Sequence, residues 1–181
     1  MKSKGILKKV ILVAVLAALV FGAVNLFWYG FKYLPYKKMA DRMQFNNDSE
    51  MPRYVFEDDK YLYRLKMPRY LSFDSGFLYV GPNEEDLAVF IVDEEGNLTE
   101  QNVPHVDMFI WPKMFSETVY GVTIYEKTSS RQLIINRLGE YLPDEMITEE
   151  EKAENMALFE QHKEEIRDML QAANELWRIN Q

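Results

Sequence analysis

Hydrophobic and polar positions change their rhythm three times along this chain. From Val10 to Phe31 there is no alternation: VILVAVLAALVFGAVNLFWYGF holds no charged residue and one strongly polar side chain, Asn25. At about 1.5 Å per residue a helix over this run covers roughly 33 Å, enough for the hydrocarbon core of a bilayer. Between residues 61 and 138 the pattern becomes short β-type runs. They are Tyr61 to Lys66, Gly76 to Val80, Leu87 to Val92, Leu98 to Val103, Met108 to Trp111, Val119 to Lys127 and Arg131 to Leu138. Asp93-Glu94-Glu95-Gly96-Asn97 and Thr128-Ser129-Ser130 predict hairpin turns. Short connections between successive strands favour an antiparallel meander.

From residue 149 to 178 the period turns helical. Met156, Phe159, Ile166, Met169, Leu170, Ala173, Leu176 and Trp177 recur at threes and fours and make one apolar stripe. Thr148-Glu149-Glu150-Glu151 in front of it is a capping box, and its three carboxylates suit the positive end of the helix dipole. Such a helix is long beside five-residue strands. Packing on its own sheet is the expected use of the stripe, with homo-oligomer formation through this C-terminal helix as the alternative.

The predicted fold class is α+β: an antiparallel β-sheet meander with a long C-terminal amphipathic helix, preceded by a single N-terminal transmembrane helix. Residues 1–9 read as a basic tail, 10–31 as the anchor, 32–52 as a juxtamembrane linker and 53–181 as an acidic α+β domain. The linker continues the helix through Lys37 and Met43 until Asn46-Asn47-Asp48-Ser49 and Pro52 break it. Met51-Pro52-Arg53-Tyr54-Val55 recurs sixteen residues later as Met67-Pro68-Arg69-Tyr70-Leu71. Two copies are too few for a solenoid. They read as two Pro-containing turns, each leading into an aromatic strand, with chance similarity as the competing explanation.

Charge divides the chain sharply. Residues 1–42 carry eight Lys or Arg against one Asp, and the remainder thirteen against twenty-eight Asp or Glu, within a net charge of −8. So acidic a domain repels phosphate backbones, which makes nucleic acid an unsuitable partner and a basic protein a suitable one. Lys2, Lys4, Lys8 and Lys9 before the apolar run resemble a signal n-region. The best cleavage candidate, Val20-Phe21-Gly22, is poor, and Trp28, Tyr29, Tyr33 and Tyr36 read as an interfacial aromatic belt on a retained span. Flanking charge is nearly balanced. The short basic tail places the N-terminus inside and the domain outside the cytoplasm.

Candidate chemistry is thin. The chain contains no Cys, which removes thiolate chemistry and Cys-based zinc sites. His105 and Asp107 share one strand face, the orienting half of a triad, but simple alternation gives the same spacing. His162 lies near the helical stripe. Glu84-Glu85-Asp86 and Asp93-Glu94-Glu95 read as solvated turns, the second too irregular for an EF-hand loop. No catalytic, cofactor-binding or metal-binding residue is assigned, and no cofactor is expected. Phe109, Trp111, Met114 and Phe115 surround Pro112, which belongs at a strand edge or exit; these four aromatic or apolar residues are the candidate partner contacts, against core packing, membrane contact or a seat for the C-terminal helix stripe as the competing readings. The expected function is a membrane-anchored, extracytoplasmic protein-interaction module without catalytic activity. It would serve as an accessory subunit of an envelope complex or an immunity-type binder of a basic protein. The alternatives are a small-ligand or sensory domain and a carboxylate-based surface hydrolase.

Overall fold

The uncharged run folds as the C-terminal part of helix α1 (Lys2–Trp28) and the first residues of the turn after it, in a computed structural model that describes residues 2–47, 53–83, 87–92 and 98–179. The helix does not stop at the end of the apolar run. It passes through one wide π-helical turn, Tyr29–Tyr33, and continues as α2 (Leu34–Ala40). In that turn the Leu34 N–H reaches back five residues to the Tyr29 carbonyl, and Pro35, which has no N–H to give, follows at once. The continuous stretch Lys8–Ala40 contains a window long and apolar enough to cross a membrane, and none of that window is buried in protein.

Among the described residues ten strands follow: β1 (Gln44–Asn46), β2 (Arg53–Glu57), β3 (Tyr61–Lys66), β4 (Phe77–Pro82), β5 (Ala88–Val92), β6 (Leu98–Asn102), β7 (His105–Trp111), β8 (Val119–Tyr125), β9 (Ser130–Ile135) and β10 (Tyr141–Leu142). Eight form one antiparallel sheet in the order β1-β2-β3-β4-β7-β8-β9-β10. The meander is interrupted once, where β5 and β6 make a separate antiparallel hairpin between β4 and β7. Its turn residues 93–97, like the acidic run 84–86, lie outside the described residues. The hairpin at Thr128–Ser130 is present, closed by Glu126 N–H donating to the Ser129 carbonyl at 2.8 Å.

Strand alternation divides the sheet into two faces. The inner face is the core: Leu65, Leu78, Val80, Val106, Met108, Ile110 and Ile124 are completely buried. Helix α3 (Glu149–Trp177) covers it, with Ile166, Met169 and Ala173 equally inaccessible. Its capping box is formed, Glu151 N–H donating to Thr148 Oγ1 and Thr148 N–H to the Glu151 carboxylate. The helix ends at Trp177, one residue before the expected 178, where Arg178 turns into the left-handed region at φ 55. The apolar stripe is therefore spent on the chain's own sheet, apart from its outermost member Met156. Arg131 ties β9 to the helix through Glu154 and Asn155 at 2.7 and 2.9 Å.

Residues 32–47, expected as part of a linker, form helix and strand docked on the domain. Trp28, Lys32, Tyr36 and Ala40 are all buried, four residues apart. An α-helix rotates such a series by about 40° per step, and the wide π turn counters that drift. Trp28 Nε1 donates to the Ser72 carbonyl at 3.1 Å, and Lys32 Nζ to the Pro112 carbonyl at 2.8 Å. Tyr36, Ala40 and Met43 join the main core, where Trp177 Nε1 contacts Met43 Sδ at 3.5 Å. Trp28 and Tyr36 of the expected belt thus face protein, while Tyr29 remains exposed and stacks on Tyr33 at 5.5 Å.

The near-repeat is not a structural repeat. In the first copy Arg53, Tyr54 and Val55 enter strand β2, while Met51 and Pro52 lie outside the described residues. In the second, residues 67–71 form a loop with Leu71 at φ 53, and β4 begins only at Phe77. Tyr70 packs edge-on against Trp28 at 5.3 Å, so a helix contact replaces the strand contact of its counterpart Tyr54.

Candidate functional site on the outer face of the sheet

The outer face is built from the alternate residues of the same strands, and its composition is different. Its centre is an aromatic ridge. Phe109 lies 5.9 Å from Phe77, 5.1 Å edge-on from Tyr79 and 5.7 Å from Trp111, on which it stacks. Gly121, paired with Phe109 across β7 and β8, leaves the floor open: a Cβ there would stand 2.8 Å from the Trp111 ring. Cations border the ridge. The Arg64 guanidinium sits 5.1 Å over the Tyr79 ring and Lys66 Nζ 5.8 Å over Phe77. Arg53 lies diagonally across from Arg64 on β2. Its burial and the Arg64 charge both lower its pKa.

At the other end of the ridge is a small polar cluster. Tyr79 Oη donates to Asp107 Oδ1 at 2.8 Å, directly above Gly81, where a Cβ would collide with the hydroxyl oxygen. Asp107 is buried, and that burial pushes its carboxyl above the usual value against the Tyr79 hydrogen bond and the charges of His105 and Arg64. The Tyr79 phenol is pushed up as well, by burial first and by the adjacent Asp107. His105 stacks on Tyr125 at 4.3 Å and holds Nδ1 at 2.6 Å from the Val103 carbonyl. A carbonyl only accepts, so Nδ1 carries the proton. Nε2 then faces Asp107 Oδ1 at 3.9 Å, too far for a hydrogen bond. His105 and Asp107 are brought together as expected, and their polar atoms are directed at each other, at Tyr79 and at backbone.

The four expected partner contacts are split between two places. Phe109 and Trp111 belong to the outer ridge, half-buried. Met114 is half-buried in the loop after β7, and Phe115 is exposed beside α1, stacked 6.2 Å from Phe27 and tilted against Phe73 at 5.4 Å. Pro112 does leave the sheet, and that exit separates the pairs. Sequence reasoning missed Arg64, Phe77 and Tyr79. The signal was present: Leu62-Arg64-Lys66 and Phe77-Tyr79-Gly81 are the alternates of core positions in strands already recognised.

Two further features bear on chemistry. His162 pairs with Glu165 at 3.2 Å along α3. An open cleft of about 520 Å³ between α3 and the β2–β3 turn is lined by Phe56, Asp58, Tyr61, Gln171 and Glu175 and bridged by Lys60 to Asp168 at 2.9 Å. Among the described residues no group of three His, Asp or Glu is placed to hold a metal ion. No protein-family model, no curated protein and no solved structure matches the chain.

Proposed function

We propose that this protein is a single-pass, membrane-anchored, extracytoplasmic protein-interaction module without catalytic activity, and that its partner docks on the outer sheet face. The observation that carries the proposal is the ridge of Phe77, Tyr79, Phe109 and Trp111. It is a row of aromatic rings on the face opposite α3, bordered by Arg53, Arg64 and Lys66. Aromatic residues and Arg are the side chains that supply most binding energy at protein interfaces. The polar cluster at the ridge end closes on itself through Tyr79, Asp107 and His105, which suits a scaffold better than a general base reaching for substrate.

The membrane part of the proposal draws on the exposed apolar window within Lys8–Ala40 and on the basic tail before it. The domain's acidity favours a basic partner, yet its charges are segregated. Helix α3 carries nine carboxylates against three cations, whereas the ridge is flanked by cations. A partner seated on the ridge therefore presents aromatic or aliphatic groups next to carboxylates. The test is site-specific photocrosslinking in native membranes from Gln132 on the outer face and from Gln161 on α3. A discrete protein adduct from residue 132 that disappears on Arg64→Glu is the expected result. Adducts from 161 alone would move the interface to the acidic helix.

A further inference from the structure

We propose that the loops carrying Tyr70 and Phe115 form a second membrane contact, an aromatic collar seated in the headgroup region around the foot of α1. The inference rests on α1 spanning the bilayer. It goes further in making the folded domain, and not only the anchor, a lipid-binding body.

Both side chains are large and more than half exposed: Tyr70 at 64% and Phe115 at 73%. Neither is exposed at random. The Tyr70 hydroxyl donates to Asn25 Oδ1 and its ring packs on Trp28; Phe115 stacks on Phe27 and touches Phe73. Two separate loops thus hang alongside residues 25–28, inside the apolar run and not beyond it. From Lys8 to Phe27 the helix rises roughly 30 Å, which already fills a hydrocarbon core. The bilayer surface then falls near Asn25 to Trp28, level with the two exposed rings, where tyrosine and other aromatic side chains are favoured.

The same placement accounts for Lys32 and Asn25. One turn past the boundary, the Lys32 ammonium is only 3% exposed and donates to the Pro112 carbonyl, 5.2 Å from the Tyr36 ring. A charge so close to the hydrocarbon is drawn into protein and paired there. The Asn25 amide is satisfied by Tyr70 and by the Phe21 carbonyl at 2.7 Å, leaving no polar group that calls for a second membrane helix. Arg69, exposed beside Tyr70, is placed to meet lipid phosphates.

The chain's lack of Cys makes the test direct, since any introduced thiol is unique. The full-length protein would be spin-labelled at Arg69→Cys, Ser116→Cys, Leu19→Cys or Gln161→Cys and reconstituted into phosphatidylcholine–phosphatidylglycerol vesicles. Collision rates with oxygen and with a water-soluble nickel chelate report depth. Expected are strong oxygen preference at 19, free nickel access at 161, and a clear loss of nickel access at both 69 and 116. Combining Tyr70→Ser with Phe115→Ser should restore nickel access at 69 and 116 while leaving 19 unchanged. If 69 and 116 read like 161 while 19 stays buried, the collar is wrong and the anchor stands. If 19 itself reads like 161, the anchor fails and the collar with it.

Discussion

The two faces of the eight-stranded sheet are made from the same strands, one residue out of phase, and they solve different problems. On β7, Val106, Met108 and Ile110 point inward and are completely inaccessible, while His105, Asp107, Phe109 and Trp111 point outward. The inner set is held by α3, by the end of the N-terminal helix through Tyr36 and Ala40, and by Met43 in the turn after it. Among the described residues no helix packs over the outer set. It is held by rings lying on rings, by glycines that let them lie flat, and by a tyrosine–aspartate hydrogen bond. Burial of aliphatic surface stabilises the first face. The second buries Tyr79 and Asp107 but leaves Phe77, Phe109 and Trp111 only half-buried, so part of its aromatic surface stays open to contact.

Adjacent residues offer the strongest way to break this contrast. Ile110→Ala should cost about 2–5 kcal/mol in chemical denaturation of the detergent-solubilised chain, because it empties a closed core. Trp111→Ala, one residue on, should cost no more than about half of that despite removing a larger side chain, because its ring is already partly in solvent. Equal losses would mean that the ridge is core in disguise.

Gly81→Ala probes the outer face from below. A methyl group there collides with the Tyr79 hydroxyl and with Asp107 Oδ1, 2.7 Å away, so the hydrogen bond must open. The expected loss is about 1–3 kcal/mol, accompanied by a shift in tyrosine absorbance.

The subtlest difference lies in pH dependence. Asp107 holds its proton to higher pH when folded than when unfolded. Between those two values the folded chain binds the extra proton, so stability falls as pH rises through the window. Asp107→Asn should flatten that slope, because the amide oxygen still accepts from Tyr79 and carries no charge. Asp58 at the β2–β3 turn behaves oppositely. Burial raises it, but donation from the Tyr61 and Lys60 N–H groups and from the Tyr63 hydroxyl outweighs burial and leaves it below its usual value. Its contribution is present above the ordinary carboxylate pKa and is lost as pH falls through the lowered one. Denaturation curves across the acid range would separate the two slopes.

The inner face was legible because it repeats. Strand β3 matches the expected Tyr61 to Lys66 residue for residue, and Thr148 with Glu151 announced the start of α3 through a pattern that works locally. Strands β1 and β10 were not recognised, since two or three residues paired at a sheet edge leave no period to detect, and the residues that open β2 read as part of a Pro-containing turn. The Met-Pro-Arg-Tyr text shows the limit plainly: the same residue order enters a strand at Arg53 and a loop at Arg69, because the second copy meets Trp28 instead of a neighbouring strand. Phe109 and Trp111 could be singled out but not placed. Their ridge needs Tyr79 from thirty residues away, and only the β4–β7 pairing around the inserted hairpin brings it there.

The unbroken passage from α1 through the π turn into the domain has a kinetic consequence. A domain on a flexible tether samples many orientations and loses that freedom when it binds. One fused to its helix through Trp28, Lys32 and Tyr36 has already given it up at folding. With α1 in a bilayer, as proposed, rotation about the membrane normal would be the main freedom that remains, and the aromatic face would sweep a thin ring at constant height. A partner of the proposed kind fixed at that height would meet it as a two-dimensional encounter at high effective concentration, and one held a few nanometres higher would not be met at all.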